Sequence, residues 1–138
     1  MSDTYGASVL CLKIPAKPEY LVLGRLVLTG LSRAYTLDPD ALSDVKLALT
    51  EACSNSMRHA YEDVGIVEIR YEVADDYVAI EVFDDGPGFE PAVTRVAPES
   101  LEEGGLGLEI IRAVSDITEI GRRADGTGSR LRFVKRLT

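Results

Sequence analysis

The run Val67-Glu68-Ile69-Arg70-Tyr71-Glu72-Val73 alternates apolar and charged side chains, and beyond Asp75-Asp76 the alternation returns at Val78, Ile80 and Val82. A period of two sends alternate residues to opposite faces of a strand. Two such runs separated by turn residues predict a β-hairpin with one face on a core and one in water. The rest of the chain is then read as what covers that apolar face. Upstream, Asp38 is a good N-cap, Pro39 a good first helical residue, and Leu37 with Leu42 occupy the two positions of a hydrophobic staple. The helix they open runs through Val45, Leu49, Ala52 and Cys53 to about Ala60. An earlier helix is predicted from Glu19 to about Tyr35, started by Pro18, with an apolar face wide enough to pack on a sheet. Ahead of it, the short apolar run from Val9 to Ile14 reads as a strand that ends at Pro15.

Downstream of the hairpin the periodicity stops. Residues 85–105 hold glycines, three prolines and several acids, a loop long enough for a functional lid. A helix is predicted from Leu106 to Ser115, then strands from Thr118 to Arg122 and Arg130 to Lys135 around a Gly-rich turn. The helices are grouped instead of alternating with strands. That order predicts a two-layer α+β sandwich, one domain over residues 1–138, with helices on one face of a mixed, mainly antiparallel sheet.

Charge narrows the partners. Against 15 Lys+Arg stand 23 Asp+Glu, a net charge of -8, which repels nucleic acid and anionic membrane surfaces. Nucleotides remain open, because backbone N–H groups and a metal ion can hold phosphates. No apolar run approaches the ~18 residues of a membrane span, and residues 1–8 do not read as a leader, so a cytoplasmic location is expected. Cys11 and Cys53, each inside an apolar run, are too few for a disulfide framework and read as buried reduced thiols.

Three short motifs carry chemistry. Glu51 and Asn55 are four apart on the second helix and share a face, which His59 extends. A carboxylate can take a proton, and a carboxamide oxygen suits Mg²⁺; the competing reading is a solvated polar stripe. Asp84-Asp85-Gly86-Pro87-Gly88 follows a strand. It is either a plain turn or an acceptor, Asp84, aimed into a pocket where Gly86 and Gly88 let a flat ring approach the backbone. Gly104-Gly105-Leu106-Gly107-Leu108 opens a helix, where free N–H groups can bind phosphate; the competing reading is a flexible loop end. Residue 110 is Ile, which breaks a dinucleotide fingerprint, and no Walker A motif is present.

The order of these motifs resembles that of the GHKL ATPases, whose N-box matches Glu51 to Asn55, G1 box Asp84 to Gly88 and G2 box Gly105 to Gly107. Ile14-Pro15-Ala16-Lys17-Pro18-Glu19-Tyr20, Thr50-Glu51-Ala52-Cys53-Ser54-Asn55, His59-Ala60-Tyr61 and Glu103-Gly104-Gly105-Leu106-Gly107-Leu108 are similar to the RsbW/SpoIIAB-type anti-sigma-factor serine kinases. The likeness runs from about Val9 to Arg136. It implies a GHKL-type fold with an ATP lid at about 85–105, and a protein serine kinase using ATP and Mg²⁺. In that picture Glu51 is the catalytic base, and Asn55 binds the nucleotide through Mg²⁺. Asp84 accepts from the adenine amino group, with Gly86 and Gly88 beside the ring. Gly105, Leu106 and Gly107 cradle the phosphates, and Ser129 keeps the hydroxyl of a Gly-Thr pair near adenine, with Thr127 a competing assignment. The implied partners are a sigma factor, a STAS-type anti-anti-sigma protein and a second copy of the chain.

The sequence also departs from the pattern. Between Phe89 and Gly107 the basic residue is Arg95, and Glu102 and Glu103 stand where some relatives carry an arginine for the γ-phosphate. That motivates an alternative, a nucleotide-gated binding module without catalysis. Another is a switch kinase acting on a stress-complex scaffold. No H-E-x-x-x-P pattern surrounds His59, which argues against a phosphoacceptor role, and the lack of a dimerisation helix pair or H-box in these residues disfavours a histidine-kinase catalytic domain.

Overall fold

In the computed structural model, which describes residues 7–35, 37–59, 65–84, 107–122 and 128–137, five strands form one sheet in the order β1-β2-β3-β5-β4. They are β1 (Ser8–Pro15), β2 (Ile66–Val73), β3 (Tyr77–Asp84), β4 (Ile117–Arg122) and β5 (Ser129–Arg136). Each pairing is antiparallel. Helix α1 spans Leu21–Tyr35 behind a 3-10 turn at Pro18–Tyr20, α2 spans Pro39–His59, and residues 107–114 are helical (α3). The two-layer, mainly antiparallel α+β expectation therefore holds.

The hairpin has the predicted sidedness. Val67, Ile69, Tyr71 and Val73 are buried on β2, and Val78, Ile80 and Val82 on β3. They meet Leu28 and Leu31 of α1, Val45, Leu49 and Ala52 of α2, and Ile111 of α3 in one core. Asp38 caps α2 as its type predicts, its Oδ2 accepting from the N–H groups of Asp40 at 3.0 Å and Ala41 at 3.1 Å. Helix α1 buries Gly24, Leu28 and Leu31 but leaves Val22, Leu23 and Leu26 more than 40% exposed, so only part of its apolar surface meets the sheet. Tyr71 ties α1 down from below, donating to the Gly24 carbonyl at 2.8 Å.

Among the described residues, the other sheet face is charged and carries no helix. There Glu81 lies 2.6 Å from Arg130, 3.6 Å from Arg70 and 3.9 Å from Arg132. This face corrects one expectation. Cys53 is buried, but Cys11 is exposed. In register Cys11 stands opposite Arg70, on the charged side, while Leu12 and Ile14 pair with Ile69 and Val67. The described helices cover one face of the sheet, so alternate side chains of an apolar run point to the open face and an apolar run does not imply burial.

Candidate functional site

The site is assembled from the ends of elements. Alternation along β3 puts Asp84 on the same side as Val78, Ile80 and Val82, so its carboxylate points under the helical layer and is 1% exposed. In register with it on β5 stands Ser129, 5% exposed, whose hydroxyl donates to Asp84 Oδ2 at 2.5 Å. Gly128 precedes it with φ 67°, a left-handed conformation that favours glycine and turns the chain into the strand. A buried carboxylate survives only when hydrogen-bonded, and Ser129 supplies one such bond.

Glu51 and Asn55 lie one turn apart on α2, with Asn55 buried and Glu51 half-buried. Helix α3 abuts their face at Gly107. A Cβ placed on Gly107 would stand 3.2 Å from Glu51 Oε1, 3.6 Å from Asn55 Nδ2 and 3.7 Å from Asn55 Oδ1. The fold thus brings Gly107 against the first motif, at a spot where any side chain would crowd the carboxylate. Between these two residues, burial pushes the Cys53 thiol from 9.0 up to about 12. It is an inert core group, not a nucleophile.

Of the residues singled out from sequence, Glu51, Asn55 and Gly107 come together, and Asp84 pairs with Ser129. Gly86, Gly88, Gly105 and Leu106, the lid at 85–105, Arg95 and Thr127 lie outside the described residues, as does the side chain of His59. One buried polar residue escaped the sequence reading: Ser56, 7% exposed. Helical spacing puts it in line with Val45, Leu49 and Ala52, but a lone small polar residue at the end of such a ridge is not marked as buried by the spacing itself.

Chemically the arrangement offers a buried acceptor at one end and a carboxylate beside a carboxamide at the other. Among the described residues no cluster of three His, Cys, Asp or Glu side chains could hold a metal alone. The donor set fits Mg²⁺, which characteristically takes one or two protein oxygens and completes its shell with phosphate and water. No described helix is long and apolar enough to cross a membrane.

Residues 14–135 match the histidine kinase-like ATPase domain family. The chain is 33% identical to the serine-protein kinase RsbW of Bacillus pumilus over 91% of its own length and 85% of that protein's. With the RsbW of Staphylococcus aureus strain JH9 it shares 31% identity over 91% and 86% of the two chains. Among solved structures, the mycobacterial sensor histidine kinase MprB superposes with a TM-score of 0.54 at 17% identity, covering 92% of this chain and 97% of that one. A chain of the SiaB–SiaC complex from Pseudomonas aeruginosa gives 0.55 at 19% identity, covering 91% and 89%. These last two likenesses are of fold.

Proposed function

The chain belongs to the histidine kinase-like ATPase domain family and, within it, to the RsbW serine-protein kinases, and from that premise we propose that it is an ATP-dependent protein serine kinase that phosphorylates a STAS-type anti-anti-sigma protein and sequesters a sigma factor. The observation that supports the reading is the closeness of Gly107 to Glu51 and Asn55, where an added Cβ would stand 3.2 Å from Glu51 Oε1 and 3.6 Å from Asn55 Nδ2.

Each residue then has a task. Asp84, held by Ser129, accepts from the adenine amino group and fixes the base. Asn55 presents its carboxamide oxygen to Mg²⁺, which when bound neutralises charge on the phosphates. The backbone of Gly105 to Gly107 holds the phosphates, with Gly86 and Gly88 beside the ring. Glu51 receives the proton of the attacking serine hydroxyl. Phosphoryl transfer depends mainly on such positioning and charge neutralisation, so few reactive side chains are needed. We read residues 1–138 as one cytoplasmic domain that works as a homodimer, and the exposed Val22, Leu23 and Leu26 of α1 are available to an interface.

The test is incubation with γ-labelled ATP and the STAS-domain protein of the same organism. Transfer of label to a serine of that protein supports the reading. Binding of ATP without transfer would replace it with the non-catalytic, nucleotide-gated module.

A further inference from the structure

Among the described residues the buried polar or charged side chains are Asn55, Ser56, Asp84 and Ser129, each 8% exposed or less. Three already have roles. The Ser56 hydroxyl makes no hydrogen bond among the described residues. Thr50 and Ser115 behave differently, turning back onto the carbonyls of Lys46 and Ile111 at 2.9 and 2.6 Å. A buried hydroxyl without a partner weakens a fold and calls for a reason.

Its place in the fold supplies one. Lys135 Nζ meets Asp44 Oδ2 at 3.0 Å, which pins the first half of α2 over the end of β5. Further along, Leu49 reaches the level of Ile69 and Tyr71, since a Cβ on Gly24 would touch all three within 3.7 Å. Helix α2 therefore runs antiparallel to β5. The helix rises about 18 Å from Asp44 to Ser56, and β5 extends about 20 Å from Lys135 back to Ser129. Ser56 arrives level with the row Val67, Asp84 and Ser129. Its spacing from Val45, Leu49 and Ala52 keeps it on the ridge facing the sheet, while neighbouring Asn55 turns toward Gly107.

We propose that Ser56 is a specificity-determining residue of the nucleotide site, its hydroxyl bonding to the edge of the purine base beside Asp84. This rests on the ATP-site reading above. Adenine presents an amino donor next to a ring-nitrogen acceptor; a carboxylate beside a hydroxyl offers the complementary acceptor and donor. Guanine reverses the order and sets its carbonyl against the carboxylate. A site built from such buried polar groups rejects a ligand that leaves them unpaired.

The test is calorimetric titration of the full chain and its variants with ADP and with inorganic tripolyphosphate, which reads only the phosphate end. Ser56→Ala should weaken ADP binding by about threefold to tenfold. It should leave tripolyphosphate affinity unchanged, and the thermal midpoint of the ligand-free protein unchanged or raised. Ser56→Cys, a poorer donor of similar size, should fall between the two. Equal ADP affinity in Ser56→Ala and the parent overturns the proposal, as does an equal loss for tripolyphosphate. If Asp84→Asn loses ADP while Ser56→Ala does not, the ATP site stands and only the role of Ser56 falls. If the parent binds no ADP, both fall.

Discussion

Ser129 donates its hydroxyl to Asp84 Oδ2 at 2.5 Å, and the two are register partners on neighbouring strands although 45 positions separate them in the chain. The bond fixes the orientation of a buried carboxylate. Asp84→Asn should reduce ATP affinity by roughly 10- to 100-fold, the range for losing a hydrogen bond to a charged acceptor. Ser129→Ala should cost less, and Ser129→Thr should restore the parent value. Isothermal titration with ATP reads all three; full affinity in Asp84→Asn would place the base elsewhere.

Glu51 and Gly107 should separate transfer from binding. Glu51→Gln removes the proposed proton acceptor and should slow phosphotransfer by roughly 10²- to 10⁴-fold, with ATP affinity nearly unchanged. Gly107→Ala puts a methyl 3.2 Å from Glu51 Oε1, which must move away. A rate loss of up to about 100-fold is expected from misplacing that group. Single-turnover transfer from labelled ATP reads the rates, and Glu51→Gln transferring at the parent rate would remove Glu51 from the chemistry.

Asp38→Ala strips two N–H groups of α2 of their acceptor. The loss should be about 1 kcal/mol, or about 3–5 °C in thermal midpoint for a chain of this size. Asp38→Asn should retain most of the stability, and calorimetry of the ligand-free protein distinguishes them.

Alkali should destabilise the fold through Cys53. Its thiol is raised from 9.0 to about 12, so the folded protein keeps a proton that the unfolded chain releases. That stabilisation is complete below pH 9 and disappears as pH rises toward 12. Tyr71 acts in the same direction, raised by burial and then by the nearby Cys53. Urea midpoints should fall steadily above pH 9, and less steeply in Cys53→Ala. At neutral pH an alkylating reagent should add one group to the native protein, at Cys11, and a second only after unfolding. Native double labelling would contradict the burial of Cys53.

Much of this was legible because periodicity maps directly onto geometry. Alternation from Val67 to Val82 named the core face of β2 and β3, and Asp38-Pro39 located the start of α2. Helical spacing put Glu51 beside Asn55. Contact of Gly107 with both is a tertiary fact that no local pattern contains. Cys11 was misread because an apolar run does not say whether a neighbouring layer reaches each of its residues, and Cys11 points to the open face of the sheet. Leu23 and Leu26 belong to the same class, apolar residues on the part of α1 turned away from the sheet. Ser56 went unread for the opposite reason: a small polar side chain on a buried ridge looks like solvent-facing helix until the register of α2 over β5 is known.

The strand order has a consequence for how the molecule comes into being. Strands β2 and β3 follow one another closely, as do β4 and β5, but β3 meets β5 only after a long stretch of chain has been gathered in. Closing such a distant contact is entropically slow compared with forming a hairpin. A nascent chain with both hairpins formed but undocked has no row joining Asp84 to Ser129, and so lacks the proposed purine site. Nucleotide would select the finished protein over its precursors and add its binding free energy to that species alone, making cellular ATP a factor in how much of this chain survives as well as in what it does.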